Sequence, residues 1–340
     1  MSSGPALHVR DLSTRFHTDR GVVHAVSGIS YVLGAGEAMA IVGESGCGKS
    51  VSALSLMGLV PEPGRVESGE VLLNGRDVLG LTPRQWTRVR GREIAMVFQD
   101  PMTSLNPVLT VGRQLAETLR RHLGMGSRDA LAEAVQLMRL VGIPNPEARI
   151  HDHPHQFSGG QRQRVVIAMA LACKPSVLIA DEPTTALDVT VQAQIVALMK
   201  DLQARLGMAI LWITHDLALV ADLVDREAVM YAGRVVEVAD VETLFRSPRH
   251  PYTVGLLRSL PSFGDGPRRR LAAIGGRPPD LVAPVPGCAF APRCPWAVDR
   301  CRTERPALTT VTPQQASACW RAGELPELVR GPWEAPGGRS

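Results

Sequence analysis

Residues 38–50 limit what this chain can fold into more than any other segment. Five apolar residues, Ala38-Met39-Ala40-Ile41-Val42, run straight into Gly43-Glu44-Ser45-Gly46-Cys47-Gly48-Lys49-Ser50 and on into a stretch that reads as a helix from Lys49 to Leu59. An apolar strand feeding a glycine loop and then a helix aims successive backbone N–H groups and a helix N-terminus at one point, which suits the phosphates of a nucleotide. Lys49 adds a mobile positive charge for the β and γ phosphates, and the Ser50 hydroxyl is placed to bind Mg2+. The chain has three lysines in all, so one in this position is informative.

The flanking pattern predicts an α/β fold with an antiparallel start. Leu7 to Phe16 and Val22 to Leu33 read as strands, followed by Gly69–Leu73 and Ile94–Phe98. Val111–His122 and Arg128–Leu140 carry apolar residues at helical spacing and mark a helical insertion over about residues 100–172. A helix at 161–172, a strand at 177–179, a helix at 189–206 and a strand at 209–213 complete the alternation. It implies a mainly parallel core sheet with helices on its faces. Composition shifts near Ser247 toward proline, glycine and arginine, which divides the chain into residues 1–246 and a smaller appendage, 247–340.

Val177–Ala180 is an apolar strand that ends in Asp181 and Glu182. Burying unpaired charge is costly, so two acids at such an end point to a bound cation and a polarised water. In phosphoryl transfer one acid supports magnesium and another group orients the attacking water; Asp181 and Glu182 fit those roles, and solvated acids before Pro183 are the bland alternative. Ser158-Gly159-Gly160-Gln161 precedes an apolar helix and forms a second anion-binding helix end, although the same residues also read as a simple helix cap.

Together with Thr214-His215-Asp216, these segments resemble the nucleotide-binding subunit of an ABC transporter. The resemblance implies ATP hydrolysis, with residues 43–51 (through Val51) around the phosphates. It implies that Ser158, Gly159, Gly160 and Gln161 cap the nucleotide of a partner subunit, with Asp188 of the Ala186-Leu187-Asp188 loop crossing the interface. Gln99 would contact magnesium and water, and His215 would reach the γ-phosphate. Phe16 is the candidate for stacking on adenine, with Val23 or His24 as alternatives on the same strands. Moving a dimer from mostly open to mostly closed needs about 5.5 kcal/mol of differential binding, while one helix-dipole contact supplies about 0.3–1. Closure must therefore combine several of these groups.

Phe98 to Pro107, Thr184 to Gln192 and His250-Pro251-Tyr252-Thr253 narrow the resemblance to ATPases of dipeptide and oligopeptide importers, a group that also serves nickel and glutathione import. The implied assembly is a second, different ATPase, two membrane permease subunits and an extracytoplasmic binding protein. Cys288, Cys294, Cys301 and Cys319 follow C-x5-C-x6-C-x17-C among prolines and arginines too sparse in apolar residues to build much of a core. In a reducing compartment four thiols suggest metal ligands rather than disulfides. The spacing lacks the C-x2-C pairs usual for zinc, and four thiolates suit a [4Fe-4S] cluster, which some members of the resembling group hold around this motif. Zinc or an unligated set remain open. Cys47 reads as a reactive but non-catalytic thiol, and Cys173 as a small hydrophobe.

Composition excludes other classes. The longest apolar run, Val165–Cys173, is about half a membrane span, and the first eight residues lack the charged head and apolar stretch of a secretory signal. The expectation is a peripheral protein on the cytoplasmic face of the inner membrane. Its 37 basic and 33 acidic side chains do not by themselves suggest nucleic acid. A soluble ABC ATPase acting on nucleic acid is the less favoured alternative: the resemblance implies that such proteins typically carry two ATPase modules in one chain or long coiled coils, whereas this chain has one glycine loop, one signature and no heptad run. Arg268-Arg269-Arg270 reads as a solvated run that could meet anionic lipid or a partner.

Overall fold

The computed structural model describes residues 4–185, 187–260, 274–282 and 285–329. The expectations for Ala186 and for Arg268-Arg269-Arg270 lie outside the described residues. Two compact units are present: one of residues 1–8, 32–38 and 71–213, the other of residues 9–31, 39–70 and 214–340. The described strands, in chain order, are β1 (Leu7–Thr18), β2 (Gly21–Leu33), β3 (Ala38–Val42), β4 (Gly64–Leu73), β5 (Arg76–Asp77), β6 (Ile94–Val97), β7 (Val177–Asp181), β8 (Ala209–Thr214), β9 (Arg226–Tyr231), β10 (Arg234–Asp240), β11 (Thr309–Thr312) and β12 (Gln315–Ser317).

The first unit is built on three parallel strands, with Ile94 opposite Val177 and Val177 opposite Ala209. Every residue of β6, β7 and β8 is buried, as expected of parallel strands covered on both faces. The helix Val189–Leu206 makes the β7-to-β8 crossover; Asp188 caps its start and Gly207, at φ 67°, ends it. Between β6 and β7 lie the helices Val111–Leu123, Ser127–Leu140 and Gly159–Leu171. The first buries Val111, Leu115 and Leu119 at successive four-residue steps and turns Arg113, Glu117 and Arg120 outward, the stripe a surface helix needs.

In the second unit β1 and β2 form a hairpin, and the strand order is β2-β1-β4. β3 pairs in parallel with β9. β9 and β10 form a hairpin through Ala232 and Gly233, both at positive φ, the geometry of a type I′ turn. The helix after the glycine loop stops at Leu56, three residues before the expected end, with Gly58 at φ 60°.

The appendage corrects a sequence expectation: it does build a core. β12 pairs with β10 and β11 with β12, so the segment completes its backbone hydrogen bonds on an existing sheet edge. Tyr231, Tyr252 and Phe290 cluster with ring centroids 4.6–5.5 Å apart, and Phe290, Ala318 and Leu325 are buried. Buried Glu237 ties these parts together. Its carboxyl accepts from the Arg249 N–H (2.6 Å), the His250 N–H (2.9 Å) and Gln315 Nε2 (2.8 Å), and burial pushes its pKa up to about 7. Among the described residues, no helix is long and apolar enough to cross a membrane.

Candidate nucleotide site

β3 delivers the glycine loop, and the glycines are required by space as well as by dihedral angle. Gly43 and Gly48 sit at φ 154° and 102°, where a Cβ would lie 2.2 Å from the Met230 carbonyl oxygen and 2.1 Å from that of Ala25. No L side chain fits there. Lys49, 4% exposed, folds beneath the loop, its Nζ donating to the carbonyl oxygens of Gly43 (2.8 Å) and Glu44 (3.1 Å). The helix Lys49–Leu56 is pinned to β1 by a 2.7 Å hydrogen bond between the Ser55 and Thr14 hydroxyls.

The loop is gripped from far along the chain by residues that sequence reasoning did not assign to the site. Arg293 forks onto Glu44, with Nη1 to Oε2 at 2.7 Å and Nη2 to Oε1 at 2.9 Å. Its other donors go to the Tyr231 hydroxyl and the carbonyls of Ile274 and Gly275. The Glu44 N–H donates to the Tyr252 hydroxyl at 2.8 Å. Tyr252 belongs to the His250 to Thr253 segment and Arg293 lies between Cys288 and Cys294, but no spacing rule tells that they reach back over 200 positions. Cys47 is buried, and that burial pushes its thiol pKa up, which corrects the expectation of a reactive thiol.

Phe16 lies on the same side of β1 as Leu12 and Thr14 and packs against Gly64, where a Cβ would stand 2.5 Å from its ring. His24 instead lines a cavity of its own, with Arg15 and Arg234. His215 is exposed just beyond β8, where Asp216 caps the helix Leu217–Val220.

In the first unit the structure joins two residues that the sequence keeps 83 positions apart. Gln99 Nε2 donates to Glu182 Oε2 at 3.1 Å, and the Thr185 hydroxyl donates to the same oxygen at 2.9 Å. Thr185 is an addition to the sequence-derived set. Asp181, 7% exposed, ends β7. Glu182 follows at φ 46°, a left-handed conformation that costs a residue with a Cβ about 1–3 kcal/mol and persists where the surroundings hold it. Its own N–H is bound to the Ile213 carbonyl at 2.8 Å.

Ser158 caps the helix Gly159–Leu171 in a reciprocal box with Gln161. Arg149 braces the box, donating to Gln161 Oε1 at 3.1 Å while its guanidinium lies 4.0 Å over the Phe157 ring. The helix-cap reading is therefore correct as local structure. Gly160 has little room, since a Cβ there would meet Val191 at 2.6 Å, whereas one on Gly159 would make ordinary contact with Leu187 at 3.5 Å. The Asp188 carboxylate accepts from the Val191 N–H at 3.0 Å.

The four appendage cysteines, separated by up to 31 positions, line one cavity of about 20 Å3. All are free thiols. Burial pushes Cys294 and Cys319 up to about 12, and neighbouring thiols add to it. Among the described residues no three His, Cys, Asp or Glu side chains are arranged to hold a single metal ion.

A strand, phosphate loop and helix together with a second apolar strand ending in two acids define a P-loop nucleotide hydrolase. Comparison with known proteins narrows the class. Residues 26–185 match the ABC transporter family model and residues 236–301 match the model of the oligopeptide/dipeptide transporter C-terminal region. A probable peptide ABC transporter ATP-binding protein of Sinorhizobium fredii is 51% identical over 95% of this chain and 96% of its own. A dipeptide transport ATP-binding protein of Bacillus subtilis is 50% identical over 92% of this chain and 94% of its own. Among solved structures, the dimeric ATP-binding cassette MJ0796 in a post-hydrolysis state with ADP and phosphate has a TM-score of 0.62 and 26% identity, covering 69% of this chain and 98% of its own. The chain belongs to the ABC transporter ATPases, in the group that carries the oligopeptide/dipeptide transporter C-terminal region.

Proposed function

We propose that this chain is the ATP-hydrolysing motor subunit of an importer for dipeptides or oligopeptides. The observation that carries the substrate class is the appendage: its match to the oligopeptide/dipeptide region coincides with relatives near 50% identity over almost the whole chain, named for peptide transport. ATP would lie on residues 43–51, with Lys49 leaving its loop carbonyls for the phosphates and Phe16 against adenine. Ser50, Asp181 and Gln99 offer hydroxyl, carboxylate and amide oxygens, the hard donors Mg2+ takes; the ion would supply charge neutralisation at the phosphates. Glu182 would orient the attacking water, held in aim by Gln99 and Thr185, and His215 would meet the γ-phosphate. The signature residues 158–161 and Asp188 would face the nucleotide of a second ATPase, a reading supported by the dimeric state of the similar cassette.

The proposal extends to a heteromeric pair of ATPases on two permease subunits, served by an extracytoplasmic binding protein, with this chain on the cytoplasmic face of the inner membrane. Residues 1–246 would carry the ATPase and 247–340 the peptide-importer appendage. Cys288, Cys294, Cys301 and Cys319 would hold a [4Fe-4S] cluster. Four thiols converging on one space support this. Iron and sulfide analysis of anaerobically purified protein tests it.

The functional test is ATP hydrolysis by the membrane assembly in vesicles, with binding protein loaded with short peptides, with nickel, with glutathione, or left empty. Stimulation by peptide is the expected outcome. Stimulation by another ligand alone would keep the motor and replace the cargo.

A further inference from the structure

β1 has two faces. Leu12 and Thr14 enter the core, while Asp11, Ser13 and Arg15 line a cavity of about 850 Å3. Its walls come from β1, β2, the start of β10 and the 285–290 and 305–308 segments of the appendage, all within the second unit. The volume falls in the range of about 300–1,000 Å3 typical of small-molecule sites. No residue of the glycine loop lines it, so it is distinct from the nucleotide site.

The charge on these walls is unbalanced. Arg15, Arg234 and Arg305 face it against the single carboxylate of Asp11, beside His24, whose pKa is lowered by burial and then by Arg15. Arg15 is already paired with Glu67 at 2.8 Å, and the Asp11 carboxylate accepts from the Ser30 hydroxyl at 3.3 Å. Arg305 donates to the Val285 carbonyl. The Arg234 side chain has no hydrogen-bond or ion-pair partner among the described residues. Burial, and then the nearby Arg305, bring its pKa down to about 10. Two guanidinium groups gathered in a concavity with no carboxylate paired to either are unfavourable until an anion joins them, and their planar forks match phosphate geometry.

We propose that this cavity is a second anion site that takes a soluble phosphate ester of about nucleotide size, its phosphate held by Arg234 and Arg305 and its remainder lying along Leu281, Val285 and Leu308. The site has a mechanical route to the glycine loop. Gly233, the residue before Arg234, donates its N–H to the Cys47 carbonyl at 2.8 Å, and its own carbonyl accepts from the Ser27 N–H at 2.8 Å. An anion that draws Arg234 inward therefore acts one residue from a hydrogen bond that shapes the loop, and ligand and ATP affinities are coupled reciprocally.

The test uses the full chain and pyrophosphate or AMP as probe, followed by calorimetry. In a Lys49→Ala variant, pyrophosphate binding is expected to persist at one site. Adding Arg234→Gln and Arg305→Gln is expected to weaken it about tenfold or more, the loss of two charge-assisted contacts. Complete loss in Lys49→Ala, or unchanged binding after both arginines are replaced, overturns the proposal. The second measurement needs no variant: phenylglyoxal modification of the natural chain, mapped by peptide mass, should spare Arg234 and Arg305 when pyrophosphate is present. Equal modification with and without the probe overturns it as well. Sedimentation with phosphatidylglycerol vesicles that depends on these arginines, without pyrophosphate binding, would assign the anion to a lipid headgroup and overturn the soluble-ligand reading. None of these outcomes depends on the transported substrate.

Discussion

The glycine loop and the acidic end of β7, proposed above to serve one reaction, are built on opposite principles. The loop is fixed from a distance: Met230 and Ala25 carbonyls forbid side chains at Gly43 and Gly48, and Arg293 and Tyr252 hold Glu44 from more than 200 residues away. The end of β7 is held more lightly, with Glu182 in a left-handed conformation and its carboxylate accepting from two neutral donors, Gln99 and Thr185. A binding element benefits from rigid preorganisation, whereas a group that must exchange hydrogen bonds with a water is better held by weak ones. The difference teaches that appendage mutations should act on nucleotide binding and stability, and acid-end mutations on turnover.

The sharpest way to break this contrast is Glu182→Gln. Turnover at this chain's site should fall by about 10²–10⁴-fold, the usual worth of a positioned general base, with ATP affinity retained in equilibrium titration. Retained hydrolysis would show that Glu182 is not the group that activates water.

Arg293→Ala tests the other half. It removes a side chain that is 4% exposed and leaves Glu44 with its carboxylate unpaired, which should cost about 3 kcal/mol of stability and weaken ATP binding. Thermal unfolding and an ATP titration read both. Unchanged ATP affinity would confine Arg293 to holding the appendage.

A pH series sharpens the comparison within the second unit. Glu227 in β9 is fully buried with both carboxyl oxygens unpartnered, and burial raises its pKa from 4.5 to about 8. Between those values the folded state keeps a proton that the unfolded chain has released, so stability falls as pH rises, by up to about 1.4 kcal/mol per pH unit. Denaturant midpoints measured from pH 5 to pH 8 should decline, and Glu227→Gln should lessen the slope, most clearly between pH 7 and 8, above the titration of Glu237 at about 7. An equal slope in that variant would place the titration elsewhere.

The smallest effect is expected from Thr185→Val, which removes one neutral hydrogen bond to Glu182, worth about 1 kcal/mol, or roughly a fivefold loss in turnover with ATP affinity unchanged. A change in affinity instead would mean that the end of β7 also takes part in preorganised binding.

Much of this was legible in the chain. The β3 and β7 runs are short, apolar and bounded, so their ends could be placed to within a residue or two, and Ser158 with Gln161 announced a helix start. The appendage was misread because its apolar residues are thinly spread and its strands, β11 and β12, are only four and three residues long. Such strands have no local signature; they exist because β10 offers an edge. The clustering of four cysteines in one cavity was likewise suggested by their number, and it was the packing of Phe290 and its neighbours that brought them together.

The sequence by itself determined the local chemistry: which apolar strand runs into a glycine loop, which carboxylates end an apolar strand, and which helix begins with S-G-G-Q. These are local facts, since backbone dihedrals, caps and hydrophobic runs act over a few residues. Tertiary structure alone decided what supports that chemistry. It placed Gln99 on Glu182, Arg293 on Glu44, and Arg234 and Arg305 in one cavity. Those pairings depend on chain reversals that no short-range pattern encodes, because the free energy that selects them is shared across the whole buried core.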